Sequence, residues 1–459
     1  MQAQRGAVNP FDESRPMWRL FLVFLIPLLF SNVLQSASQT ISSIYLGRLL
    51  GVHALAAVSS IFPVIFLLIS FMIGLASGST VLIGQAYGAQ QIHTMKKIAG
   101  TSLSVSFALG VIFSILGQFF AGPLLTAVGT PKDILHDAEV YSKIIFLWLP
   151  AFFPYLAYTT FLRGTGDSKT PFYSLIVGTV LGAILTPAFL LGWAGLPRIG
   201  IAGAAIAGYI ANAVAFFAFL VYLHVRKHAL RFDGEMLRDM NVDWRLLGKI
   251  VRIGVPAGLQ TILVALAEIA VISFVNHFGS DATAAYGAVN QIVGYVQFPA
   301  ISIGITASIF GAQSIGAHRQ DKLNAVIRSG VALNYIIGGV IILFCYAFAW
   351  NILGWFITQQ HPLNIAHELL MITLWSYLLF GNTAVLGGVM RSSGTVFWPT
   401  TISIFSIWAV EVPVAYVLMH RLGIDGVWLG YPAAYAVSLT LVFGYYWFFW
   451  RHKTHKRLV

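Results

Sequence analysis

The sequence predicts an all-α integral membrane protein: twelve transmembrane helices in two parallel-repeat six-helix lobes. Two observations carry this. First, 58% of residues are hydrophobic, only 9% are charged and mean hydropathy is +0.80, whereas a soluble domain carries about 25% charged residues. Second, the chain repeats itself. Ile83-Gly84-Gln85-Ala86-Tyr87-Gly88-Ala89 returns as Gly311-Ala312-Gln313-Ser314-Ile315-Gly316-Ala317. Arg163-Gly164-Thr165-Gly166 with Pro171 returns as Arg391-Ser392-Ser393-Gly394 with Pro399, and Gly200-Ile201-Ala202-Gly203 as Gly423-Ile424-Asp425-Gly426. The offset of about 228 residues is too long for a solenoid repeat and fits a duplicated multi-span half.

Apolar runs long enough to cross a hydrocarbon layer lie at roughly 17–46, 54–83, 97–126, 138–162, 170–194, 199–225, 249–278, 283–312, 325–355, 366–390, 398–419 and 424–450. Six spans per half is an even number, so both halves enter the membrane from the same side and the repeats are parallel. The predicted division is a first lobe at 1–225, a linker at 226–248 and a second lobe at 249–459. The polar stretch from His224 to Arg252 has mixed charge with Met236, Leu237, Trp244, Leu246 and Leu247 interspersed, a pattern for an interfacial helix.

The formal charge of +11 is distributed by side. Arg48, Lys132, Arg198 and Arg421 fall in loops of one side, with Lys143 just inside a span, and most of the other basic residues fall on the opposite side with both termini. This asymmetry predicts cytoplasmic termini and a multi-pass protein of the inner (plasma) membrane. The basic tail Arg451–Arg457 fits contact with anionic lipid, and no nucleic-acid partner is expected. Arg5 and Arg15 flank Asp12 and Glu13 with no small-residue cleavage site after a short apolar core, so the first span is expected to be retained. The single cysteine, Cys345, excludes an intramolecular disulfide and a thiolate metal cluster. No Walker A, HExxH or GxSxG arrangement stands in its required context, so the chain is expected not to be an enzyme and to need no cofactor.

Of sixteen acidic residues, most fall in loops or near span ends, and two sit well within apolar spans: Glu268 in the seventh and Glu411 in the eleventh. An intramembrane carboxylate costs roughly 2.5–3.5 kcal/mol on insertion scales and marks a functional site by default. Both are expected to couple a cation. Glu268 has no Lys or Arg within a helical turn to hold it ionised, which suits a proton; a sodium cage needs several oxygen ligands. H⁺ is favoured and Na⁺ remains open. Pro413 follows Glu411 and should distort its helix. Asn32, Gln35 and Gln39 lie on a polar stripe of the first span, and Gln260 partly mirrors it in the seventh. With Gln291, Tyr295, Trp375, Tyr377 and Asn382 they are the expected substrate-cavity residues, the aromatic groups offering cation–π contact. Trp148, Tyr155 and Tyr158 are further aromatic candidates.

The stretches IPLLFSNVLQSASQTISSIYLGRLLGVHALAA, GLASGSTVLIGQAYGAQ, VPAGLQTILVALAEIAVISFVNHFGSDATAAYGAVNQI and RGTGDSKTP resemble the multidrug and toxic compound extrusion (MATE) transporters. The resemblance covers nearly the whole chain. It implies cation-driven efflux of amphipathic, often cationic, organic molecules through two six-helix lobes, with membrane lipid around a monomer. Many bacterial members carry an Asp near the end of the first span; the corresponding position here is Ser42. Members often carry a Glu in the seventh span about eight residues after its proline; here that position is Val264, and Glu268 lies one turn further on the same face. A flippase for a lipid-linked precursor, in the same superfamily, is the alternative reading.

Overall fold

Every membrane-length apolar run folds as a helix. The computed structural model describes residues 8–195 and 198–459, so Arg5 lies outside it. Among the described residues there is no strand. The spans are α1 Met17–Leu50, α2 His53–Gly88, α3 Ile92–Ala127, α4 Lys132–Gly164, α5 Lys169–Leu191, α6 Ile201–Val225, α7 Trp244–Asn276, α8 Ser280–Gly316, α9 Gln320–Ala347, α10 Gln360–Ser392, α11 Phe397–Leu422 and α12 Ile424–His452. Large apolar side chains such as Phe119, Phe217 and Phe448 point outward and are exposed. That surface suits lipid, where helices satisfy their own backbone groups.

Several boundaries differ from the sequence-based ones for identifiable reasons. Helix α10 begins at Gln360 rather than near 366, because Pro362 falls in the first turn, where its missing N–H has no partner to lose. Helix α1 runs on to Leu50 through a π-helical turn, Leu46–Leu50, and stops at Gly51, whose φ of 91° favours glycine. Helix α9 contains a second such turn at Asn334–Gly338.

The chain forms two compact units. One comprises Ile26–Tyr87 and Gln91–Gly254; the other comprises Val8–Leu25, Gly88–Gln90 and Val255–Val459. The start of α1 therefore counts with the second unit. Residues 226–248 pack within the first unit.

That segment is not one continuous interfacial helix. It holds a short helix, Gly234–Arg238, whose N-terminus is capped by the Asp233 side chain accepting from the Met236 N–H at 3.1 Å. Asp243 then accepts from the N–H groups of Arg245 and Leu246 at 2.9 and 3.1 Å, which starts α7. Lys96 of α3 ties the segment down, its Nζ lying 2.8 Å from Asp233 and 2.6 Å from Glu235. Burial opposes charge on Asp233, but hydrogen bonds from Lys96, Arg231 and the Met236 N–H outweigh it and hold the carboxyl below its ordinary range. A carboxyl depressed in the folded state stabilises fully above its unfolded value, about 3.9, and loses that contribution as pH falls through the folded value. Asp233→Asn is accordingly expected to lower stability by about 1 kcal/mol near neutral pH. The gap to wild type should close only in acid below about pH 4, which thermal unfolding in detergent across pH will read.

In the second unit the core gathers Val271, Val275, Tyr286, Val289, Leu370 and Trp428. Small residues set the closest helix crossings. A Cβ on Gly388 of α10 would stand 2.3 Å from the Gly304 carbonyl oxygen of α8, and one on Gly304 2.9 Å from the Ala384 carbonyl oxygen. Gly388→Val must separate these backbones. It is expected to destabilise by about 1–3 kcal/mol or more, seen as a lower thermal midpoint, whereas Val at Gly339, which faces open space, should leave the midpoint nearly unchanged. The repeated Gly-containing motif also packs: a Cβ on Gly88 would lie 2.1 Å from the Gln313 carbonyl oxygen.

Candidate functional site

The two intramembrane carboxylates belong to one cluster in the second unit. Helix α7 carries Glu268, which is half-buried. Helix α11 carries Glu411, which is buried and within electrostatic reach of Glu268. Two polar ties hold α7 and α11 in register on one side of the cluster. Gln260 Nε2 donates to Ser403 Oγ at 2.8 Å, and Trp408 Nε1 donates to the Leu263 carbonyl at 3.1 Å.

Glu411 ends a π-helical turn, Ser406–Glu411. The cause is in the sequence: Pro413 has no N–H for the carbonyl four residues back, and its ring would crowd that carbonyl in a regular α-helix. The wider turn relieves the crowding, as such turns do near functional positions. The distortion expected at Pro413 thus takes a defined form.

Around Glu268 stand hydroxyl groups from two other helices. Tyr286 of α8 donates to Glu268 Oε2 at 2.6 Å, and Tyr431 of α12 donates to the same oxygen at 2.9 Å. The two tyrosine oxygens are themselves 2.9 Å apart. Three oxygens thus make three mutual contacts. With Glu268 ionised the trio holds two protons, both able to point at the carboxylate. With Glu268 protonated it holds three, enough for a closed ring of hydrogen bonds. The same geometry therefore accepts either protonation state without leaving a buried polar group unsatisfied. Trp428 stacks on Tyr286 with ring centroids 5.9 Å apart and planes 9° from parallel. Tyr435, one turn after Tyr431, meets Tyr377 at a centroid distance of 5.3 Å.

The expected cavity residues separate into groups. Tyr377 joins the carboxylate cluster. Gln260 serves the α7–α11 tie. Asn382 is buried in a helix–helix network: it accepts from Asn334 Nδ2 at 3.0 Å and donates to the Tyr335 hydroxyl at 2.8 Å. Gln291, Tyr295 and Trp375 are exposed on the second unit, Tyr295 packing edge-on against Phe298. In the first unit Asn32 is half-buried and Gln35 exposed.

Gln39 lines a cavity of about 320 Å³ inside the first unit, with Ser42, Tyr45, Trp148, Tyr209 and Asn212 among its walls. Trp148 meets Tyr209 edge to face at 4.4 Å. No Asp, Glu, Lys or Arg lines this cavity among the described residues. Tyr155 also lines it, whereas Tyr158 is buried and donates to the Leu230 carbonyl.

Tyr286, Tyr431 and Tyr435 were not among the residues singled out from sequence. One signal was present: a buried tyrosine hydroxyl needs a partner, and Tyr431 and Tyr435 share a face of the last span at i and i+4.

The MatE family model matches residues 27–188 and 256–417, one match in each half. The chain is 56% identical over 462 residues to "Probable multidrug resistance protein YoeA" of Bacillus subtilis (strain 168), covering all of both chains. It is 24% identical over 427 residues to the multidrug export protein MepA of Staphylococcus aureus, covering 91% of this chain and 90% of that one. Among solved structures, the Vibrio cholerae MATE transporter VcmN superposes with a TM-score of 0.86 at 21% identity, over 95% of this chain and 98% of that one. A MOP superfamily transporter from Pyrococcus furiosus superposes with a TM-score of 0.84 at 21% identity, over 93% and 95%. The twelve helices and the paired family matches lead to one conclusion: this chain belongs to the MatE family of multidrug efflux transporters.

Proposed function

We propose that the chain is a proton-coupled antiporter that exports amphipathic organic cations by alternating access, with Glu268 as the proton site and Glu411 as its neighbour. The observation that carries this reading is the Glu268–Tyr286–Tyr431 trio, which accommodates the carboxyl in both protonation states. Glu268 ionised attracts a cation; Glu268 protonated does not. Ligands that favour different states of one group exchange with each other. Sodium is the other coupling ion open to such a site, but the direct partners of Glu268 Oε2 are hydroxyl groups that donate to it, not a set of free oxygen acceptors.

The uncharged aromatic cavity of the first unit supports the same substrate class, since its walls offer stacking to a flat organic molecule. It speaks against the flippase reading, because a lipid-linked polyphosphate calls for cationic walls. The charge asymmetry supports cytoplasmic termini in the inner membrane, and the transporter works as a monomer.

Efflux of a fluorescent organic cation from proteoliposomes tests the coupling. An imposed pH gradient should drive transport. Transport that survives collapse of the pH gradient but follows an imposed sodium gradient would assign the coupling to sodium.

A further inference from the structure

A second chemistry-bearing cluster lies in the first unit, away from the buried carboxylates. His93 stands in the first turn of α3. Glu235 lies in the short helix Gly234–Arg238, and Asp239 caps its C-terminus. One ligand atom from each falls within 4.8 Å of the others. The spacing of Glu235 and Asp239 puts both carboxylates on one helix face.

Asp239 Oδ2 is enclosed and has no hydrogen-bond partner. An enclosed carboxylate oxygen without a donor is costly, and a cation would answer it. The backbone around the cluster is fixed independently. A Cβ on Gly100 would lie 2.4 Å from the Asp239 carbonyl oxygen, so α3 and this segment touch through their backbones. Ser104 donates to the Met240 carbonyl, and the Asp243 N–H donates to Thr101 Oγ1 at 3.3 Å. These contacts place the segment on α3 independently of the His93 and Asp239 side chains, while Lys96 also holds Glu235 through Oε2.

Lys96 Nζ engages Glu235 through Oε2, and a carboxylate has a second oxygen to offer. His93 is exposed, which leaves an entry path from solution. One imidazole and two carboxylates form the three-ligand set of a Zn²⁺ site completed by water. Ca²⁺ and Mg²⁺ prefer oxygen ligands alone.

We propose that His93, Glu235 and Asp239 bind one Zn²⁺ ion, which clamps the segment after the sixth span onto α3. The proposal is independent of the coupling ion.

The test uses the full, tag-free chain in detergent, titrated with Zn²⁺ against a chromophoric chelator. Wild type should take up one equivalent and gain thermal stability with Zn²⁺. His93→Ala and Asp239→Asn should each weaken that binding by at least about tenfold and abolish the thermal gain. His452→Ala, on the exposed basic tail, should bind as wild type does. His93 is exposed, so its replacement should leave the fold intact and isolates the metal contact. No stoichiometric uptake by wild type, or equal uptake by both site variants, overturns the proposal.

Discussion

Gradient-driven efflux by Glu268→Gln is expected to fall to the background of vesicles without protein, with the fold intact. Glutamine keeps the shape of the side chain, and its carbonyl oxygen can still accept from Tyr286 and Tyr431, which now donate to Glu268 Oε2. Packing against α8 and α12 is therefore retained, and the thermal midpoint should stay close to that of wild type. What glutamine lacks is the exchangeable proton. A transporter whose ion and drug compete for one carboxylate then loses the reason to change state when the ion arrives. Tyr286→Phe supplies the graded case. It removes one donor and breaks the ring of hydroxyls but keeps the carboxylate, so transport should weaken without vanishing. The measurement is uptake of an organic cation into inverted vesicles under an imposed pH gradient. Undiminished transport by Glu268→Gln at wild-type protein levels would remove Glu268 from the coupling step.

Much of the architecture was legible in the sequence because the bilayer imposes a strong rule: a spanning segment must be long, apolar and helical. The twelve runs follow from that rule, and the internal repeat is legible in motifs that recur about 228 residues apart. Boundaries were less legible. Lys132 and Gln360 open helices in polar sequence beside Pro131 and Pro362, and Trp244 starts α7 inside what reads as linker because Asp243 caps it; such local signals leave little trace in hydropathy. The subdivision of the chain was hidden for another reason. Helix α1 is continuous through Leu25 and Ile26, yet its early turns pack with the second unit, a tertiary fact with no sequence signature.

The candidate site divides in the same way. Glu268 and Glu411 stand out in sequence because charge is rare inside an apolar run. Tyr286 and Tyr431 do not, since tyrosine is an ordinary residue of membrane helices. Their importance comes from being brought to one oxygen atom from helices α8 and α12. Gln260 and Asn382 show a different ambiguity. Each is polar in an apolar helix, which marks a cavity wall and a helix–helix tie equally well, and here each makes a tie. Ser42 and Gln39 do line a cavity, one bounded by residues of the first unit alone. Its aromatic walls come from helices far apart in sequence, Trp148 on α4 and Tyr209 on α6 among them.

Competition between proton and drug gives the second large effect. If a cationic dye binds the ionised form of Glu268, each dye bound displaces one proton once that carboxyl is protonated in the free protein. Linkage then makes the apparent Kd rise about tenfold for each unit of pH lowered in that range. At higher pH, where the carboxylate is already ionised, Kd should level off. The sign is fixed by the charges: acid adds the proton that cancels the attraction, so binding weakens as pH falls. In Glu268→Gln the dye should bind more weakly at all pH values, with the slope abolished. Glu411→Gln separates the two carboxylates. Glu411 is buried near Glu268, so replacing its carboxyl should shift the pH at which binding weakens but preserve the slope. Equilibrium dye binding to purified wild type, Glu268→Gln and Glu411→Gln, followed from about pH 8 to about pH 5, separates these outcomes. A flat profile in wild type, or one unchanged in Glu268→Gln, would exclude direct competition at Glu268. A slope lost only in Glu411→Gln would move the exchange to the π-helical turn of α11.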